Sequence, residues 1–150
     1  MPQSLAQIYV HIIFSTKERR PFINERIEPE LFAYMGDTLK RCGGVPFLIN
    51  GTADHVHLLS SLPRTMALSK YIEEIKRNSS RWIKTKDSQY EKFAWQGGYG
   101  AFSVSRSRKD SVVRYIAGQK DHHKTVTFKE EFIAFLQKYG IEYDEQYLWD

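Results

Sequence analysis

Among its 150 residues the chain has one cysteine, five prolines and no apolar run near the roughly 20 residues that span a bilayer. Cys42 has no partner for an intramolecular disulfide, which agrees with a reducing compartment. A membrane span is excluded. The N-terminus, Met1-Pro2-Gln3-Ser4, lacks a basic segment followed by an apolar one, so the protein is expected to be soluble and cytoplasmic. Repeats and low-complexity segments are absent too, which argues against a solenoid or a linker protein. With 41% hydrophobic and 14% aromatic residues the composition is not that of a disordered tail, and residues 1–150 are expected to form one domain.

Charge is unevenly spread. Residues 1–125 carry 20 Lys+Arg against 12 Asp+Glu, whereas residues 126–150 carry 2 against 6. Basic residues gather at Lys17, Arg19 and Arg20, at Arg77, Arg81 and Lys84, and at Arg106 and Arg108, as a ligand with a phosphate backbone would require. From charge alone a solvated helix face plus loops is the better reading, and it is the histidine pair beside the basic stretches that tips the balance.

Residues Ile8 to Thr16 predict a first strand, closed by a charged turn. Leu31, Phe32, Met35 and Leu39 recur at helical spacing between Glu28 and Arg41, and Gly43-Gly44 ends that helix. Val45 to Asn50 and His55 to Leu62 predict a hairpin across Gly51-Thr52-Ala53-Asp54. An amphipathic helix follows from about Ala67 to Lys84, then a strand at the end of Trp95–Val104, and helices from about Asp110 to Gln119 and Thr127 to Tyr139. The order β-α-β-β-α-β is that of a ferredoxin-like α+β sandwich, an antiparallel sheet with helices on one face and C-terminal helices appended. The second sheet face is expected to stay open.

The chemistry-bearing residues fall in two places. In an extended strand, His55 and His57 project from one face roughly 7 Å apart, so both imidazoles can meet one ion, while Val56 and Leu58 anchor the other face. Further along, Tyr115 and Gln119 stand four residues apart and would share one helix face. Each motif alone is weak, since a tyrosine on a helix is usually structural and a His-x-His pair lacks its third ligand.

Together, His55-Val56-His57 followed by Tyr115 and Gln119 resemble the HUH-type single-tyrosine transposases, which include the small single-strand insertion-sequence transposases and the REP-associated tyrosine transposases. The segments Tyr9–Lys17, Trp95–Val104 and Gln119–His123 with Phe128–Phe132 resemble further parts of that family. Gly118 departs from a good helix former and costs roughly 1 kcal/mol relative to alanine, which bears on where Gln119 is held.

The resemblance implies a strand transferase and nickase that cleaves and rejoins hairpin-bearing single-stranded DNA through a 5′-phosphotyrosine. Tyr115 would be the nucleophile, and His55, His57 and Gln119 would hold Mg2+ or Mn2+, with zinc also admitted by histidine ligation. It implies homodimers in which the tyrosine helix of one subunit completes the histidine site of the other, across a flexible Ser103–Arg108 connection. His11 and Asp54 could orient the imidazoles, although a core or surface histidine and a turn-closing aspartate are the plainer readings. His122 and His123 could compete for the metal or touch DNA, with helix-end capping the plainer role. Two rival readings remain: a domesticated or inactive module that grips structured nucleic acid without chemistry, and a metal-dependent phosphodiesterase that uses water.

Overall fold

The computed structural model describes residues 2–150. Four strands, β1 (Tyr9–Ser15), β2 (Pro46–Gly51), β3 (His55–Ser61) and β4 (Gly100–Val104), form one antiparallel sheet in the order β2-β3-β1-β4. Helices α1 (Glu28–Arg41) and α2 (Leu68–Lys84) connect β1 to β2 and β3 to β4, which completes the expected β-α-β-β-α-β order. Element ends agree with the sequence pattern to within a residue or two, and β4 forms from Gly100 onward, the second half of Trp95–Val104.

One sheet face is packed by α1 and α2. Val10, Ile12 and Phe14 of β1 and Val56 and Leu58 of β3 meet Leu31, Met35 and Leu39 from α1 and Tyr71, Ile72, Ile75 and Ile83 from α2. Each fully buried aliphatic contributes roughly 1.5–3 kcal/mol, so this layer supplies most of the apolar stabilisation. Gly43 ends α1 because it takes a φ of 96°, a left-handed conformation that L side chains disfavour.

The opposite face is closed, contrary to the expectation that it stays open. Helices α3 (Lys109–Ala117), α4 (Gln119–His122) and α5 (Phe128–Lys138) fold back over it. Two apolar clusters hold them there. Ile13 and Phe102 pack against Phe128, Phe132 and Leu136 of α5, and Tyr9, Leu59 and Val104 pack against Ile116 of α3. Every residue of β1 is consequently buried, as in a strand covered on both faces. Thr127 and Glu130 form a reciprocal capping box that starts α5. No helix among the described residues is long and apolar enough to cross a membrane.

Tyr115 and Gln119 do not share one helix. Gly118 (φ −90°, ψ 13°) leaves the helical conformation, α3 stops at Ala117 and α4 begins at Gln119. The small C-terminal helix α6 (Glu145–Leu148) ends the chain, with Trp149 against Phe128 and Phe132.

Candidate active site

Between the two apolar clusters of the second face runs a polar strip. Ser15 and Ile13 of β1 stand opposite His55 and His57 of β3, so the strand alternation that buries Val56 and Leu58 on one side turns both imidazoles to the other. His11, two residues from Ile13, shares that face and places its Nε2 2.8 Å from Nδ1 of His57. His11, His55 and His57 are all buried.

Glu131 of α5, 3% exposed, is the hub on the helical side. Its Oε1 lies 2.9 Å from His57 Nε2, 3.1 Å from His123 Nε2 and 3.5 Å from His55 Nε2. Its Oε2 accepts the hydroxyl of Tyr115 and, at 3.0 Å, the side-chain N–H of Gln119. A carboxylate so buried is stable only because these donors replace its water. Burial opposes its ionisation, but hydrogen bonds from His123, His57 and Tyr115 outweigh that and hold the Glu131 carboxyl far below the usual range.

The lone pairs of this cluster are arranged for a cation. Nδ1 of His55 lies 2.7 Å from Asp54 Oδ1, so its proton is committed to that carboxylate and Nε2 is left with a lone pair. That nitrogen faces Gln119 Oε1 at 3.2 Å and Glu131 Oε1 at 3.5 Å, while the Gln119 amide nitrogen is already spent on Glu131 Oε2. Three electron-pair donors thus converge with no proton to separate them. Ligand atoms of His55, His57, His123 and Glu131 all lie within 4.8 Å of one another, which suits a divalent ion with mixed imidazole and carboxylate ligation.

Burial keeps His11 and His57 in the neutral form. Burial, reinforced by its neighbour His57, lowers the His11 pKa to about 3, and burial, opposed by the Glu131 hydrogen bond, lowers that of His57 to about 4. Both rings are neutral at physiological pH. His123 moves upward, because the Glu131 hydrogen bond and charge outweigh its burial. Tyr115 is pushed well above the ordinary phenol range by burial and by the adjacent Glu131 carboxylate. At rest the proton belongs to the tyrosine.

The structure brings Tyr115, His55, His57, Gln119, His11 and Asp54 together within one chain. His123 does more than cap a helix, since its ring reaches Glu131. Glu131 itself was not singled out by sequence reasoning. The signal was present: Phe128, Glu131, Phe132 and Phe135 share one helical stripe, and an acidic residue within an apolar stripe marks a carboxylate that must find buried partners.

The basic candidates divide. Lys17, Arg19 and Arg20 form the turn just beyond Ser15, with Arg19 positioned 5.6 Å from the Trp149 ring and Arg20 paired to Glu18. Arg106 and Arg108 lie in the turn before α3. Arg77, Arg81 and Lys84 belong to α2, on the sheet face away from the cluster, and Arg77 is engaged by Glu73 and Glu74.

An antiparallel α+β sheet with a buried histidine–carboxylate cluster on its second face, one that could hold a metal ion, defines the class. Residues 4–119 match the model of the IS200-like transposases, and the chain belongs to that family, whose members are DNA strand-transfer enzymes. No curated protein sequence matches the chain. Two solved structures share the fold. One, of a candidate transposase from Deinococcus radiodurans R1, has a TM-score of 0.62 and 20% identity over 79% of this chain and 98% of that one. The other, a REP-associated tyrosine transposase bound to a REP hairpin, has a TM-score of 0.61 and 15% identity over 84% of this chain and 74% of that one.

Proposed function

We propose that residues 1–150 act as one transposase domain that cleaves and rejoins single-stranded DNA through a covalent bond to Tyr115. The observation that carries this reading is the hydrogen bond from the Tyr115 hydroxyl to Glu131, which also accepts from His57 in the cation-ready cluster. A nucleophile, a proton acceptor and a set of ligands stand in contact. A water-using phosphodiesterase has no need of that tyrosine.

His55, His57 and Gln119 would hold the ion, with Glu131 and His123 as further donors. Mg2+ or Mn2+ there would polarise the scissile phosphate and offset its charge, and three imidazoles favour Mn2+ of the two. Tyr115 Oη attacks phosphorus while its proton passes to Glu131 Oε2. The transfer waits for bond formation, because the phenol becomes acidic only as its oxygen lends electrons to phosphorus. The Oη–P bond forms as the P–O3′ bond breaks, leaving a 5′-phosphotyrosine and a 3′ oxygen that takes a proton from water. Rejoining is the reverse attack by a 3′-hydroxyl, so no ATP is consumed.

A hairpin-bearing strand is the proposed substrate, supported by the hairpin bound to the REP-associated relative. Lys17, Arg19 and Arg20, in the turn after β1, and Arg106 and Arg108, in the turn before α3, would meet phosphates near the cleavage point, and Arg77, Arg81 and Lys84 would meet a more distant stem. The homodimer belongs to the same reading, with the exposed Ser105–Arg108 turn as the hinge for trading tyrosine helices. Light scattering that finds only the 17.6 kDa species at micromolar concentration would remove the dimer from it.

The test is incubation with single-stranded DNA from the genomic flanks and Mn2+, followed by denaturing electrophoresis. The wild type should yield a protein–DNA adduct mapped to Tyr115, and Tyr115→Phe none. An adduct that survives Tyr115→Phe would move the nucleophile elsewhere, with Tyr99 next to examine. Binding without any adduct would favour the non-catalytic module.

A further inference from the structure

A cavity of about 860 Å3 opens from the tyrosine toward solvent between β4, α3 and α5. Its inner end is formed by His11, Tyr115 and Glu131, so it is continuous with the groups that the strand-transfer reading makes reactive. One rim carries Arg108 and the other Lys138, and the volume falls within the roughly 300–1,000 Å3 of sites that enclose small ligands.

The α5 wall is aromatic. Phe102 stacks on Phe135 with ring centroids 5.2 Å apart and on Tyr139 at 4.8 Å, with interplanar angles of 28° and 30°. Tyr139, 41% exposed, ends this ladder and lines the cavity. A flat, half-exposed aromatic face beside two cations fits a nucleobase and its phosphates, and it fits neither an aliphatic nor a cationic ligand as well. Ala134, on the same wall, presents no side chain that would fill the opening. Ala134, Lys138 and Tyr139 lie beyond the residues 4–119 that match the family model, so this wall is contributed by α5 and the residue that caps its end.

We infer that this cavity binds the unpaired nucleotide next to the scissile phosphate, with the base against Tyr139 and Phe135 and the flanking phosphates at Arg108 and Lys138. The assignment rests on the strand-transferase reading and adds a nucleotide subsite to it. Glu130 and Glu131 also line the cavity, and both carboxylates are occupied, Glu130 by the α5 capping box and Glu131 by the donors of the cluster, which limits their repulsion of a phosphate.

The experiment uses full-length protein carrying Tyr115→Phe and, as probe, the oligonucleotide dT12 with one 5-iododeoxyuridine placed at successive positions. Photocrosslinks should map to Tyr139 or Phe135, and Tyr139→Ala or Ala134→Trp should weaken dT12 binding roughly tenfold or more, the effect of losing one base stack. Positions 134 and 139 are exposed, and melting curves report directly whether the variants fold. No measurable binding of dT12, crosslinks confined to other surfaces, or affinity within twofold of the parent in both variants would overturn the subsite. Adduct formation is followed in parallel in chains that retain Tyr115. A normal Tyr115 adduct with indifferent cavity variants sinks the subsite alone. Loss of dT12 binding in the variants without any adduct in the wild type sinks the strand-transfer reading and keeps the subsite.

Discussion

Nε2 of His11 lies 2.8 Å from Nδ1 of His57, on the side of the His57 ring away from Glu131. A neutral imidazole has one N–H, so the two contacts of His57 compete for its proton. When its Nε2 lends a lone pair to a cation, that proton must sit on Nδ1 and His11 must accept it. His11 is therefore a positioning residue for the ligating tautomer. His11→Phe should weaken Mn2+ binding by about 10- to 100-fold in calorimetry, and His11→Asn, which keeps an acceptor, should recover part of the loss. Equal affinity in all three proteins would leave His11 with a packing role only.

Within the cluster the losses should be graded. His55→Ala and His57→Ala should abolish metal-dependent cleavage while Tyr115 remains in place. Gln119→Ala should be milder, because water can replace one neutral amide ligand. Glu131→Gln should be severe on two readouts, since it removes the charge that faces four imidazoles, those of His55, His57, His122 and His123, and the acceptor for the Tyr115 proton. Mn2+ affinity should fall, and stability without metal should drop by about 1–3 kcal/mol as buried donors lose their charged partner. Urea denaturation and adduct kinetics measure the two, and a Glu131→Gln protein that cleaves at the parental rate would count against both roles.

Acid should unfold the metal-free protein early. His11 and His57 bind protons less readily folded than unfolded, so their contribution is complete above about pH 6.5 and is lost as pH falls toward 4 for His57 and 3 for His11. Glu131, depressed in the fold, adds a loss below the ordinary glutamate range. His123, raised by Glu131, acts in the opposite sense, favouring the fold at lower pH and losing that contribution as pH rises. The two histidines dominate between pH 6.5 and 4.5, and the melting temperature in chelator should fall across that window. A level or rising profile would contradict the buried neutral pair.

Two glycines should respond in opposite ways. A side chain at Gly100 would run into the rings of Phe132 and Phe102, so Gly100→Val should cost about 1–3 kcal/mol and also weaken metal binding, because Phe132 sits beside Glu131 on the helix it displaces. At Gly118 an added Cβ meets only ordinary contacts with the Arg114 and Tyr115 carbonyls, and its φ is negative. Gly118→Ala should therefore be neutral or stabilising by up to about 1 kcal/mol. Thermal melts of the two variants decide both, and a strongly destabilised Gly118→Ala would mean that the break between α3 and α4 needs glycine.

The sequence by itself determined the elements and the strand face of the histidines. Val56 and Leu58 alternate with His55 and His57, and Leu31, Met35 and Leu39 recur at helical spacing, because neighbours along a strand or a helix obey fixed periods that local side chains reveal. Tyr115 and Gln119 could be marked as a pair, but not where the helix between them breaks. Only the tertiary structure decided what closes over the second sheet face and what it brings there. Glu131 meets His57 across 74 positions, and His11 meets it across 46. Those meetings depend on α5 docking Phe128 and Phe132 onto Ile13 and Phe102, a long-range burial of apolar surface that no local period encodes. The same packing sends the basic face of α2 to the far side of the sheet, because its own apolar stripe is spent on the other core.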